Sequence, residues 1–265
     1  CCAQRRPMTV ASPPGRSSRP GVPGPVLFAR YAYGPNRLGY CGPDDAAALL
    51  GEGALGGDDR ALRELARGFE GAYPYLELIA SANGIADPLD ARVVEAYWLG
   101  NGLTDRVSSG QLARSIEERF RRRLPAASWR WLAETPAVGA RPVHAYHVLD
   151  VFPRLGLLRG GEVDGVLRVI DSCRIRWGRV IERTGDWLVV GVPPLELVDG
   201  RLRLGDSRPE RVQGWRDGVG FLDGVVPGDV VAVHWNWACD RLDGRRLRNL
   251  VRWTERQLEI ANRAI

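Results

Sequence analysis

The chain of 265 residues contains no lysine; all 37 of its basic residues are arginine. That absence excludes a Schiff-base lysine and a phosphate-loop lysine. Cysteine is scarce. Cys1, Cys2, Cys41, Cys173 and Cys239 are widely spaced and form no Cys-x-x-Cys pair. Such usage argues against a disulfide scaffold and for a reducing cytoplasm. No stretch approaches the ~18 consecutive apolar residues of a membrane helix, and no signal peptide is visible. The chain opens Cys1-Cys2; a start near Met8 is expected rather than a lipid-anchored cysteine. What is present is ordinary for a globular protein: 45% hydrophobic and 26% charged residues, with length for one or two domains. The arginine bias, with many Gly, Ala and Pro, fits a GC-rich coding sequence. The net charge of +5 and pI of 9.2 are therefore weak evidence for nucleic-acid binding.

Residues 1–25 are rich in Pro, Gly, Ser and Arg and are expected to be a disordered tail. Residues 26–165 are expected to form a mostly helical domain. Leu62, Leu65, Ala66 and Phe69 share a face after Asp58-Asp59; Pro74 and Asn83-Gly84 interrupt; Pro88 opens a further helix through Val93, Val94, Tyr97 and Trp98. Ser108 or Ser109 caps a third, ending at Arg121-Arg122-Arg123, read as a solvated helix end. From Val166 the period changes. Val166–Ile170, Ile175–Ile181, Trp187–Val192, Leu195–Val198, Leu202–Leu204 and Val230–Trp235 read as strands, and a helix follows from about Asp243. The fold class expected is α+β: a helical N-terminal domain, then over 166–265 a small OB-like β-barrel with a C-terminal helix.

Two places could carry chemistry in the β part. Cys173 precedes Arg174, Arg176 and Arg179, which should bias it toward thiolate and attract an anionic ligand. His234 ends the apolar run Val230–Val233, where a neutral imidazole could bind a metal. One thiolate and one imidazole suit iron or a similar transition metal better than magnesium or calcium. The plain alternatives are an inert buried cysteine and a hydrogen-bonded core histidine.

These residues carry a resemblance. Cys173, Gly178, Arg179, Val180, Glu182 and Gly185-Asp186, with Gly228-Asp229-Val230-Val231-Ala232-Val233-His234, resemble the HypC-type chaperones of [NiFe]-hydrogenase assembly over Ser172–Ile265. The resemblance implies a metallochaperone that passes an Fe(CN)2(CO) precursor between an iron–sulfur scaffold maturation protein and the hydrogenase large-subunit precursor. It implies Cys173 and His234 as ligands, with Arg174, Arg176 and Gly178 around the bound group, and no turnover chemistry. The sequence departs from the family pattern at three points. Cys173 is internal rather than N-terminal, Arg176 and Trp177 replace an apolar residue and a proline, and the Cys–His spacing implies an insertion around Leu195–Phe221.

The helical half offers a different class. Cys41 lies just before an expected helix N-terminus, where the dipole would lower its pKa. With His147 or His144, oriented by Asp150, it could form a hydrolase or transferase site. His144 and His147 could instead share a helix face and bind metal. The tryptophans Trp129, Trp131, Trp177, Trp187, Trp215, Trp235, Trp237 and Trp253 could stack bases, but packing is expected, with no nucleic-acid or membrane partner.

Overall fold

The computed structural model describes residues 21–56, 59–121, 139–151 and 163–263. Helices α1 (Gly24–Asn36), α2 (Ala46–Leu55), α3 (Asp59–Arg67), α4 (Tyr73–Ala82), α5 (Ala91–Trp98), α6 (Gly102–Asp105) and α7 (Ser109–Phe120) come first. A short α8 (His144–Tyr146) runs on as a π-helical turn, His147–Val151, and α9 spans Val163–Cys173. Nine strands follow, β1 (Arg176–Thr184) to β9 (Trp237–Arg241), and α10 (Gly244–Ala261) closes the fold. The class is α+β, as the sequence indicates.

The helix starts are set by local chemistry. Asp45, Asp90 and Asp243 accept from the first-turn amides of α2, α5 and α10, and Ser108 with Gln111 forms a reciprocal capping box on α7. Pro74 sits in the first turn of α4, where its missing N–H costs nothing. The long helix expected after Asp58-Asp59 is therefore two helices, α3 and α4.

Two expectations are corrected. The tail was expected to reach residue 25, yet α1 begins at Gly24, and it is apolar nearly all round because it runs through the core. Val166–Ile170 reads as a strand but is part of α9. Val166 and Ile170 are both buried, four residues apart, and so share a helix face. A short β-branched run cannot by itself separate the two conformations. The expected domain boundary at 165/166 falls inside α9.

β1 pairs with β2 (Trp187–Val192) and β8 (Val230–His234), β2 with β5 (Arg208–Gln213), and β8 with β9. The ring β1-β2-β5-β9-β8 is completed by one parallel pair, Gln213 opposite Trp237, so that seam is thin. The hairpins β3–β4 (Leu195–Val198, Arg201–Leu204) and β6–β7 (Trp215–Arg216, Val219–Gly220) lie beside the ring. The stretch 195–220 thus forms the two hairpins, with a ring strand, β5, between them.

The ring encloses Val180, Leu188, Val190, Val212, Val231 and Val233. A separate, larger core joins the helices to the outer face of β8–β9 through Ala232, Trp237 and Cys239. An ion network crosses the same seam. Asp240 accepts from Arg30 and Arg246 at 2.8 Å each, and Glu95 accepts from Arg245 and Arg246 at 2.7 and 2.9 Å. It ties α1, α5, β9 and α10 together.

Candidate metal centre

Strand alternation decides where His234 points. Val231 and Val233 face the barrel interior, so Ala232 and His234 face the helices. There His234 meets Cys173, the last residue of α9, and His144, the first of α8. One ligand atom from each of the three lies within 4.8 Å of the others. Cys173 and His234, paired from the sequence, do come together. His144, considered with Cys41, joins them instead.

Backbone carbonyls freed by helix geometry hold both histidines. The Tyr31 carbonyl in α1 would normally accept from residue 35, but that residue is proline and has no N–H. His234 Nδ1 donates to it at 2.7 Å. A carbonyl only accepts, so the proton is on Nδ1 and the lone pair on Nε2. That Nε2 is buried and has no hydrogen-bond partner. Gly34 makes the approach possible: a Cβ there would lie 2.5 Å from the His234 carbonyl. At the end of α9 the last carbonyls lack intrahelical donors. Ser172 accepts from the Trp235 amide at 2.7 Å, and Cys173 from His144 Nε2 at 2.8 Å. His144 Nδ1 therefore accepts from the Tyr97 hydroxyl at 3.2 Å. Trp98 packs against both rings, at 4.7 Å from His144 and 5.7 Å from His234.

Burial keeps all of these groups neutral. It pushes His144 down to about 4 and His234 well below the usual histidine range. Cys173 is half-buried, and the enclosure of its sulfur pushes the thiol up to about 12; the nearby Cys41 adds to this, and the Trp235 indole opposes it. Its place at a helix C-terminus also disfavours the thiolate. This corrects the expectation of an arginine-activated thiolate, because those arginines are engaged elsewhere. Arg174, fully buried, bonds Asp171 at 2.8 Å and the Pro193 carbonyl, and burial lowers its own pKa to about 10. Arg176 bonds Glu210 and the Trp235 carbonyl, and Arg179 bonds the Gly228 carbonyl. Gly178 allows a close strand crossing, since a Cβ there would lie 2.3 Å from the Gly191 carbonyl.

Cys41 does not fit the activated role expected of it. It lies outside α2, whose cap is Asp45, so it does not sit at the helix N-terminus expected to activate it. As a residue it is exposed, which decides that reagents reach it; the dense surroundings of its sulfur decide its ionisation and push the thiol up to about 12. His147, lowered by burial to about 3, meets the Tyr75 hydroxyl at 3.2 Å, and Asp150 is buried in the π-helical turn. Cys239 is buried in the shared core. Arg121 pairs with Glu117; Arg122, Arg123, Trp129 and Trp131 lie outside the described residues, as do Cys1 and Cys2. Among the described residues no tryptophan is exposed, in keeping with packing. No helix among them is long and apolar enough to cross a membrane.

The sequence profile of DUF6390, a family of unknown function, matches residues 20–265, spanning helices and strands alike. The chain belongs to that family. No curated protein and no solved structure matches it. In this DUF6390 chain the donor set itself is the chemical clue. One sulfur and two imidazoles suit iron, nickel, cobalt or zinc. The orphaned Nε2 of His234, with its other nitrogen bonded to a carbonyl, has the arrangement usual for a metal-binding histidine. The residues fit a transition metal, at the cost of deprotonating Cys173 and releasing one bond of His144.

The parts of the site missed from sequence are Tyr31, Pro35 and Tyr97. A proline inside an otherwise apolar helix was the available signal for the first two.

Proposed function

We propose that the chain is a cytoplasmic accessory protein of metalloenzyme assembly, most specifically of a [NiFe]-hydrogenase. Its substrate is an iron centre carrying cyanide and carbon monoxide. Cys173 supplies the thiolate ligand and His234 an imidazole ligand. The partners are the hydrogenase large-subunit precursor and the iron–sulfur scaffold maturation protein. The observation that carries this reading is the convergence of Cys173 and His234 with a bare Nε2 between helix end and strand end. Two protein donors leave a metal short of its full coordination, as a transfer site requires. The chain's own groups bind and orient; no proton transfer or bond cleavage is assigned to them beyond loss of the Cys173 proton.

The test is capture of the large-subunit precursor by the full chain. Cys173→Ala should leave the fold intact and abolish capture. Undiminished capture by that variant would sink the mechanism. The hydrolase reading through Cys41 is less well supported, because burial raises its thiol and His144 is committed to Cys173 and Tyr97.

A further inference from the structure

The resemblance to a two-ligand carrier leaves His144 without a role, because His144 belongs to the helical half. We infer that His144 is a third metal ligand, and that His144, Cys173 and His234 together form a divalent-cation site closed across the seam between helices and barrel. The inference rests on the proposed function only in using the same Cys–His pair.

Four observations carry it. The donor atoms of all three residues lie within 4.8 Å of one another, close enough to share one ion. His234 Nε2 is buried and makes no hydrogen bond of normal geometry, although the Cys173 carbonyl is close enough to act on the ring. His144 is 5% and His234 1% exposed, and their rings meet edge to face at 5.0 Å, an arrangement in which two cations would repel but two neutral rings can face one ion. His144 is oriented by hydrogen bonds on both nitrogens, so its ring is already positioned. The ligands come from three separate elements, α8, the end of α9 and the end of β8. An ion bound to all three would fasten the helical half to the barrel.

The binding step balances simply. The Cys173 S–H bond breaks, its electron pair goes to the metal and its proton to solvent. His144 and His234 stay neutral, and each contributes one ring lone pair. His144 gives up the hydrogen bond now made by the nitrogen that turns to the metal. A thiolate with two imidazoles takes a borderline divalent ion such as Co2+, Zn2+ or Fe2+.

The experiment is an anaerobic Co2+ titration of the full chain under reducing conditions. It follows the thiolate-to-cobalt charge-transfer band and the visible bands of tetrahedral Co2+. The wild type should show both. His144→Gln should weaken binding by roughly tenfold or more and dim the visible bands, whereas His147→Gln, in the same neighbourhood, should titrate like the wild type. Should His144→Gln fail to fold, the cobalt-loaded wild type gives an independent count. Two paramagnetically shifted, exchangeable imidazole N–H signals support the inference, and one overturns it. His144→Gln binding like the wild type, with Cys173→Ser and His234→Gln impaired, also overturns the third ligand while leaving the two-ligand carrier standing. Absence of any thiolate band in the wild type removes both.

Discussion

The interior of the barrel and the seam beside it are built from different chemistry. Inside the ring the buried side chains are valine, leucine and alanine, closed by Trp215 at one side. The seam holds the histidines, Cys173, and the buried pairs of Asp240 and Glu95 with arginine. Strand alternation fills most of the barrel with apolar side chains, and an ion pair of the buried Arg176 with Glu210 spans β1 and β5. The seam can bury polar groups because helix ends and Pro35 leave carbonyls that must find donors. The clustered histidines and Cys173 therefore belong to neither half, but to the surface they share.

The largest test of that contrast is acid. Unfolded histidines titrate near about 6.5, whereas burial holds His144 to about 4, His147 to about 3 and His234 well below its usual range. The unfolded chain therefore binds protons first. Stability should be intact above about pH 6.5 and fall as the pH drops toward about 4, by as much as three protons, or about 4 kcal/mol per pH unit at its steepest. Urea unfolding across that window checks it; a flat profile would mean that water reaches the seam histidines.

Next in size is Asp240→Ala, which removes the carboxylate partner of Arg30 and leaves Arg246 with Glu95 alone, and should cost about 3–5 kcal/mol in denaturant unfolding. Leu188→Ala, inside the barrel, should cost about 2–5 kcal/mol through its cavity, and it should leave Co2+ affinity unchanged. If Leu188→Ala weakened cobalt binding as strongly as a seam substitution, the division between the two regions would be lost. Gly34→Ala pushes α1 against the His234 carbonyl and should cost about 1–3 kcal/mol; a crystal structure of the variant should show the Tyr31–His234 bond lengthened. Tyr97→Phe is the gentlest, removing one hydroxyl from His144 for about 1 kcal/mol. A thermal melt indistinguishable from the wild type would show that this bond adds nothing to the seam.

Much of this architecture is legible in the residues. The strand runs Trp187–Val192 and Val230–Trp235, the latter ending one residue earlier at His234, the serine cap, settled at Ser108, and the helix start near Asp243 are found close to where the residues place them. Strands β5 and β9 are not. Arg208-Pro209-Glu210-Arg211 carries little apolar alternation, and Trp237–Arg241 is almost wholly buried, so neither shows a half-buried face. Helix α1 escaped because Pro25, Gly34 and Pro35 are residues that ordinarily mark loops. Within the site, Cys173 and His234 were visible as a pair through the resemblance of their flanking motifs, although the spacing between them departs from that pattern. Their state was not: nearby arginines suggest a thiolate, but only folding shows them bonded to Asp171, Glu210 and carbonyls.

The sequence by itself determined the α+β class and the absence of lysine chemistry, and it singled out Cys173 and His234, two of the three clustered residues. The tertiary structure decided that His144 joins Cys173 and His234, that burial holds both of these histidines neutral, and that the three side chains meet outside the barrel. Those outcomes depend on which carbonyls are left without donors and which side chains are taken out of water. Both are properties of packed helices and strands, and no local run of residues encodes them.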